Sequence, residues 1–219
     1  MMRRIAALLL LTAGCASAPA PVPAPPQVVS RPPAAVIREA RYEDYTRYEL
    51  LAPETAQFKI QYETAATAAG ATAYFNPIRK GSEATDERVF DFATGKPLAF
   101  EVVSGATARQ TGLADADLGT QYIRVALARP VPPDGLARLF IEKTYRDPKS
   151  YFVKGDAIVF ARSLGVRRNS VVLPAGYEVI ACNVPSQILS EPDGRIQVTF
   201  VNSAPDPASL ILEARRVGP

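Results

Sequence analysis

Gln57-Phe58-Lys59-Ile60-Gln61-Tyr62-Glu63 decides the fold class. Phe58, Ile60 and Tyr62 alternate with Lys59, Gln61 and Glu63. A two-residue period sets one face of an extended strand against a core and the other in water. The period recurs in 122–128, where Ile123, Val125 and Leu127 alternate with Arg124 and Ala126. It recurs again in Leu139-Phe140-Ile141-Glu142-Lys143-Thr144-Tyr145, where both faces carry apolar residues. Strands are further expected at 88–92, 98–103, 157–161, 170–173, 177–182, 196–201 and 210–214.

Turn chemistry punctuates these runs. Pro53-Glu54-Thr55, Thr94-Gly95-Lys96-Pro97, Pro133-Asp134-Gly135, Pro174-Ala175-Gly176 and Pro192-Asp193-Gly194 stand between them. Proline presets the first central turn position, and the following Asp or Gly accepts the conformation that closes the turn. Strands at roughly ten-residue spacing with such turns predict an all-β fold, an antiparallel β-sandwich, immunoglobulin-like in type. Helix is expected only within 104–118 and 64–71, the first kept short by Gly105 and Gly112. Asp147-Pro148-Lys149 and Lys154-Gly155 interrupt the strands, and the strand count fits one sandwich or two small halves; we read one domain.

The chain before the sandwich is organised differently. Arg3 and Arg4 precede an apolar run from Ile5 to Leu11, and Ala13 and Gly14 follow. This is the order of a secretory signal, and the run falls short of the roughly 20 residues that span a bilayer. Leu11-Thr12-Ala13-Gly14-Cys15 resembles the bacterial lipobox, with Thr12 where that motif usually has leucine. The resemblance implies that the Cys15 thiol receives a diacylglycerol and that the new amino terminus is acylated. Only a thiolate is nucleophilic enough for the lipid transfer at neutral pH. Two or more acyl chains, at about 0.8 kcal/mol per buried CH₂, hold a protein on a membrane without spanning it. Gram-negative lipoprotein sorting would then favour the outer membrane, because Ala16 rather than Asp follows the cysteine.

After Cys15 come Pro19, Pro21, Pro23, Pro25, Pro26, Pro32 and Pro33, mixed with alanine and valine. Proline fixes φ and removes backbone donors, so this tract is expected to be an extended tether at about 3.1 Å per residue. The expected organisation is therefore a signal at 1–14, a lipidated, disordered tether at 15–36, and the sandwich at 37–219.

Composition narrows the chemistry. Hydrophobic residues make up 47% of the chain, enough for a core. The formal net charge of +3 drops by two, to +1, when Arg3 and Arg4 leave with the signal. No run of lysine or arginine exceeds two, which argues against nucleic acid as a partner. There is no histidine in the 219 residues. That removes Ser-His-Asp and Cys-His catalysis, H-E-x-x-H zinc sites and most catalytic zinc shells. Cys15 and Cys182 are the only cysteines. If the first carries lipid, the second is expected to be a buried, inert thiol, and the core alone holds the domain.

Some residues invite functional readings. Asp115-Ala116-Asp117-Leu118-Gly119 is a fragment of calcium-loop spacing without the distal glutamate, and a solvated acidic loop is the simpler reading. Ser150 lies near Lys149 and Lys154, but the S-x-x-K spacing is absent. Asp86 with Glu87, or Asp91 with Glu101, is a carboxylate pair of the kind glycosidases use. The tyrosines at 42, 45, 48, 62, 74, 145, 151 and 177 are expected to be half-buried filling. Segments 76–83 and 164–169 are dense in polar and basic groups, and loops on a rigid sandwich commonly carry binding. Arg79, Lys80, Arg167 and Arg168 are the candidate binding residues. We expect no catalytic residue, no metal and no cofactor.

A second resemblance concerns the sandwich. One part is Leu127-Ala128-Arg129-Pro130, then Val131-Pro132-Pro133-Asp134-Gly135 and the strand from Leu139. The other is Leu173-Pro174-Ala175-Gly176-Tyr177, followed by Asp193-Gly194-Arg195 and Phe200. Together they resemble the amino-terminal β-sandwich of gluzincin-type aminopeptidases. In that family the sandwich is non-catalytic and the zinc site lies in the next domain, so the resemblance implies architecture, not activity. The expected function is a non-enzymatic envelope lipoprotein: held on the membrane by its lipid, it binds a protein or envelope polymer. The alternative is an accessory sandwich working with a separately encoded peptidase or transporter.

Overall fold

The structure, a computed structural model, describes residues 44–218; Cys15, the expected signal and the tether lie outside the described residues. Fourteen strands follow in order. They are β1 (Tyr45–Leu50), β2 (Gln57–Ala66), β3 (Ala73–Pro77), β4 (Glu83–Asp91), β5 (Phe100–Ser104), β6 (Gln121–Ala126) and β7 (Ala137–Arg146). Then come β8 (Tyr151–Lys154), β9 (Ala157–Leu164), β10 (Arg168–Val172), β11 (Tyr177–Cys182), β12 (Gln187–Ser190), β13 (Ile196–Val201) and β14 (Ala208–Arg216). Among the described residues one α-helix, α1 (Gly105–Gln110), sits between β5 and β6, and a 3-10 turn (Pro53–Thr55) joins β1 to β2.

The strands form three sheets. A seven-stranded sheet has the order β12-β13-β10-β1-β2-β7-β4, a four-stranded sheet β11-β14-β9-β8, and a three-stranded sheet β3-β6-β5. All-β and sandwich are as expected. Every ladder among the described residues but one is antiparallel; β1 pairs with β10 in parallel, which makes the large sheet mixed.

Side-chain parity shows how the layers stack. Phe58 and Ile60 of β2 and Tyr145 of β7 join the core against the four-stranded sheet, with Phe160 and Leu212 opposite. Leu139 and Ile141 of β7 join a second core with Ile123 and Val125 of the three-stranded sheet. Positions 139, 141 and 145 share one face of β7 because successive side chains alternate. Both small sheets therefore cover the same face of the large one, side by side. Phe58, Tyr48 and Phe160 form edge and tilted ring contacts at 5.3–6.0 Å, the geometry aromatic pairs prefer. A third cluster, Val103, Ala108, Ala116 and Tyr122, packs α1 on the outer face of the three-stranded sheet.

Expected helix 64–71 is not formed. β2 runs on to Ala66, with Thr64 opposite Leu139 and Ala66 opposite Ala137. A ten-residue ladder to β7 outweighs the helix preference of the five alanines in 64–71. The first helix expectation is met by α1 alone. Ser104 Oγ caps it by accepting the Thr107 N–H. Gly105 is required there, since a Cβ would clash with the Asp117 carbonyl oxygen. The interruption at 147–150 is the turn by which the chain leaves the large sheet at β7 for the four-stranded sheet at β8.

Candidate functional site

Two cations sit where sandwich filling should be. Along β7, Leu139, Ile141, Lys143 and Tyr145 face inward; along β9, Ile158, Phe160, Arg162 and Leu164 do so. Lys143 and Arg162 are only 6% and 8% exposed. Burying a charge without a partner is costly, so each must be satisfied locally.

Arg162 is. Its Nη1 lies 3.0 Å from Asp147 Oδ2, and Ser150 Oγ and Ser82 Oγ donate to the same carboxylate at 2.7 and 3.1 Å. The guanidinium also stacks near Phe58 and Tyr145, 5.2 and 5.4 Å from the ring centroids. Burial pushes the Asp147 carboxyl up. The hydrogen bonds from Ser150 and Ser82 and the charge of Arg162 outweigh it and hold the group below its usual range.

Lys143 is satisfied only in part. Its Nζ donates to Asn76 Oδ1 at 2.5 Å and lies 5.0 Å from the Tyr145 ring centroid. An ammonium has three donors, and among the described residues no carboxylate forms an ion pair with this one. Burial, with repulsion from Arg162, pushes Lys143 down to about 8 despite a weak opposing pull from Glu87.

Lys143 lines a cleft of about 330 Å³. Its floor is the large sheet at Thr46, Ile60 and Tyr62. One wall is β3 of the three-stranded sheet, with Tyr74 and Asn76; the other is the end of β9, with Arg162 and Ser163. The cleft is thus the seam between the two small sheets. Tyr62 donates to Asp44 Oδ2 at 2.7 Å, and Thr64 Oγ1 meets the Tyr74 hydroxyl at 3.1 Å, a polar floor running beside the seam. Burial raises both phenols above their ordinary range, so they stay protonated donors.

The sequence-derived candidates fall in different places. Arg79 lies at the cleft, where its Nη1 donates to the Ser163 carbonyl at 3.1 Å and its backbone N–H to Tyr145 Oη at 3.2 Å. It is brought together with Gly165 and Val166, which also border the cleft. Lys80 instead pairs with Asp117 Oδ2 at 2.8 Å. Arg168 opens β10 and alternates with the buried Asn169, so it belongs to the outer face of the large sheet. Arg167 accepts the Asn202 N–H on its backbone carbonyl, 2.7 Å away. The four cations therefore do not make one patch.

The other residues weighed from sequence are engaged structurally. Asp117 accepts from Lys80, Thr120 and the Gly119 N–H, with Lys80 the main cause that pushes it down to about 2. Ser150 Oγ donates to Asp147. Asp91 caps Thr94, and Glu101 pairs with Arg124 at 2.8 Å. Asp86 and Glu87 lie at the β4 bulge, beside Lys143 and Thr144 of β7 in a groove separate from the cleft. Cys182 is half-buried against the first core rather than fully inside it. Tyr48, Tyr145 and Tyr151 are buried filling, as expected.

No protein-family model matches the sequence, and no curated protein matches it. Solved structures do match the fold. An M1 zinc metallopeptidase from Deinococcus radiodurans aligns with a TM-score of 0.50 at 11% identity, over 78% of this chain and 41% of the peptidase. A variant of that enzyme bound to a Tyr-Ser-Ala substrate aligns at 12% identity over the same shares. An aminopeptidase N family protein from Idiomarina loihiensis aligns at 10% identity and a TM-score of 0.46, over 29% of its chain. The likeness is one of fold. It lies in the amino-terminal domain region of M1 aminopeptidases, the sandwich that the sequence resemblance implied. The chain spans about two fifths of the length of the first of the peptidases it matches.

Proposed function

We propose that this chain is a lipid-anchored protein of the bacterial envelope whose sandwich binds rather than transforms its ligand. The observation that carries the binding reading is the seam cleft, with its under-satisfied Lys143, cation at the mouth and tyrosine floor. Concave sites with a few convergent polar groups on rigid sheets are the usual form of small-ligand pockets. The absence of histidine from the sequence supports a non-catalytic role. The lipobox-like stretch ending at Cys15 supports export and anchoring, and an anchor in the membrane plane makes weak contacts effective.

A second reading has its own support. The likeness in fold to a region of a zinc peptidase is what supports an accessory sandwich that works with a peptidase. Fractionation of cells producing the wild type and Cys15→Ser, followed by cross-linking, tests both. The anchored reading expects wild type in the membrane fraction and the variant released. The accessory reading expects one peptidase cross-linked stoichiometrically to the sandwich, and its absence would exclude that reading.

A further inference from the structure

The seam cleft carries a charge imbalance that the sandwich itself does not answer. Arg162 is neutralised by Asp147, and Lys80 by Asp117. Arg47 is held by Glu49 and Glu191, and Arg88 by Glu142. Among the described residues, Lys143 is the buried cation whose hydrogen-bond acceptor is a neutral amide oxygen and which no carboxylate pairs within salt-bridge distance, Glu87 exerting only a weak pull, and it sits where two sheets leave a gap. A lysine needed only for filling would be replaced at lower energetic cost by methionine, since unpaired buried charge disfavours folding. Its retention is explained if a ligand supplies the missing anion.

Resting on the binding reading above, we propose that the cleft holds a small organic carboxylate. Lys143 supplies the countercharge, Asn76 fixes the ammonium, and Arg79 at the mouth adds a second, weaker attraction. The charge accounting selects a monoanion: one uncompensated cation lies inside, and Arg79 stands exposed at the entrance. A volume of about 330 Å³ lies at the small end of ligand sites. It suits a molecule of metabolite size whose apolar body lies on Ile60 and the Tyr62 and Tyr74 rings while its carboxylate reaches Nζ. The low-dielectric interior strengthens such a charge-assisted hydrogen bond. Bound carboxylate would also draw Lys143 back toward its ordinary protonation range.

The experiment uses the full mature chain in detergent, with benzoate as probe and benzamide and phenyl phosphate as controls, read by calorimetry and by the side-chain ¹⁵N signal of Lys143. The expected result is saturable benzoate binding that shifts this signal. Benzamide should bind at least about tenfold more weakly, a difference near 1.4 kcal/mol. Lys143→Met should abolish benzoate binding while the chain stays folded, and Arg79→Gln should weaken it by a smaller factor. Equal benzoate binding by wild type and Lys143→Met would overturn the proposal, as would an unmoved Lys143 signal or tighter binding of phenyl phosphate. Carboxylate binding by a chain that carries no lipid would leave this inference standing and sink the anchored reading; lipid without carboxylate binding would do the reverse.

Discussion

Arg162 Nη1 lies 3.0 Å from Asp147 Oδ2, with both side chains 6% exposed, and this pair joins the strand that leaves the large sheet to the strand that returns in the small one. Asp147 stands at the end of β7 and Arg162 in β9, so the ion pair spans the crossover. Removing one partner leaves a buried charge unanswered, which costs about 3–5 kcal/mol. Asp147→Asn should lose stability on this order in urea unfolding at neutral pH. The Asp147 carboxyl is held below its unfolded value, so its contribution is present above about pH 4 and fades as pH falls through the folded value. The wild type should lose that part of its stability on acidification, and Asp147→Asn should not.

Lys143 behaves in the opposite sense. Folded, it titrates near 8; unfolded, near 10.5. Between those values the unfolded chain binds the proton that the folded chain has released, so stability rises with pH. The neighbours that face it are Arg162, Glu87 and the phenols of Tyr62, Tyr74 and Tyr145. The buried phenols are raised and lower stability only above about pH 10. The clean window is therefore about pH 8 to 9.5. Burying the charged form costs about 3 kcal/mol below it. Lys143→Met should be more stable than wild type at pH 7 by up to that amount and should show no rise across the window, in denaturant titrations at several pH values.

Gly105→Ala should disrupt the start of α1. The new Cβ would clash with the Asp117 carbonyl and the Leu118 Cα, backbone atoms with no flexible side chain to yield. Overpacking of this kind costs about 1–3 kcal/mol. Backbone amide exchange in α1 and the 113–118 turn should accelerate, leaving β1 and β2 protected.

Phe58 is fully buried where the large and four-stranded sheets meet, in ring contact with Tyr48, Tyr145 and Phe160. Phe58→Ala should cost about 3–5 kcal/mol in the same unfolding assay, the range for deleting a buried aromatic.

The fold was legible where alternation was strong. Phe58, Ile60 and Tyr62 mark β2 without ambiguity, and proline-bearing turns bound most neighbours. Strands β1, β3, β8 and β12 were missed for separate reasons. β1 places Thr46 inward and Tyr45 outward, which blurs its period; β3 turns Asn76 inward and ends on Pro77; β8 has four residues; β12 is exposed at every position, so no burial pattern marks it. Of the four candidate cations only Arg79 lies at the cleft, although segments 76–83 and 164–169 both border it. Loop composition pointed to exposed cations, whereas the cleft is built from Lys143 and Arg162 on inward strand positions. The signal was present in Leu139-Phe140-Ile141-Glu142-Lys143-Thr144-Tyr145, where a lysine occupies the apolar register. A cation on the inward face of a strand is the mark of a seam that sequence periodicity alone reads as noise.

The account turns on where the mature chain begins and what it carries. Intact-mass measurement of the detergent-extracted protein tests this most directly. The account predicts a polypeptide starting at Cys15, heavier than its residues by a diacylglyceryl group and an amide-linked acyl chain. An unmodified amino terminus, or a chain that still begins at Met1 and stays in buffer without detergent, would contradict it.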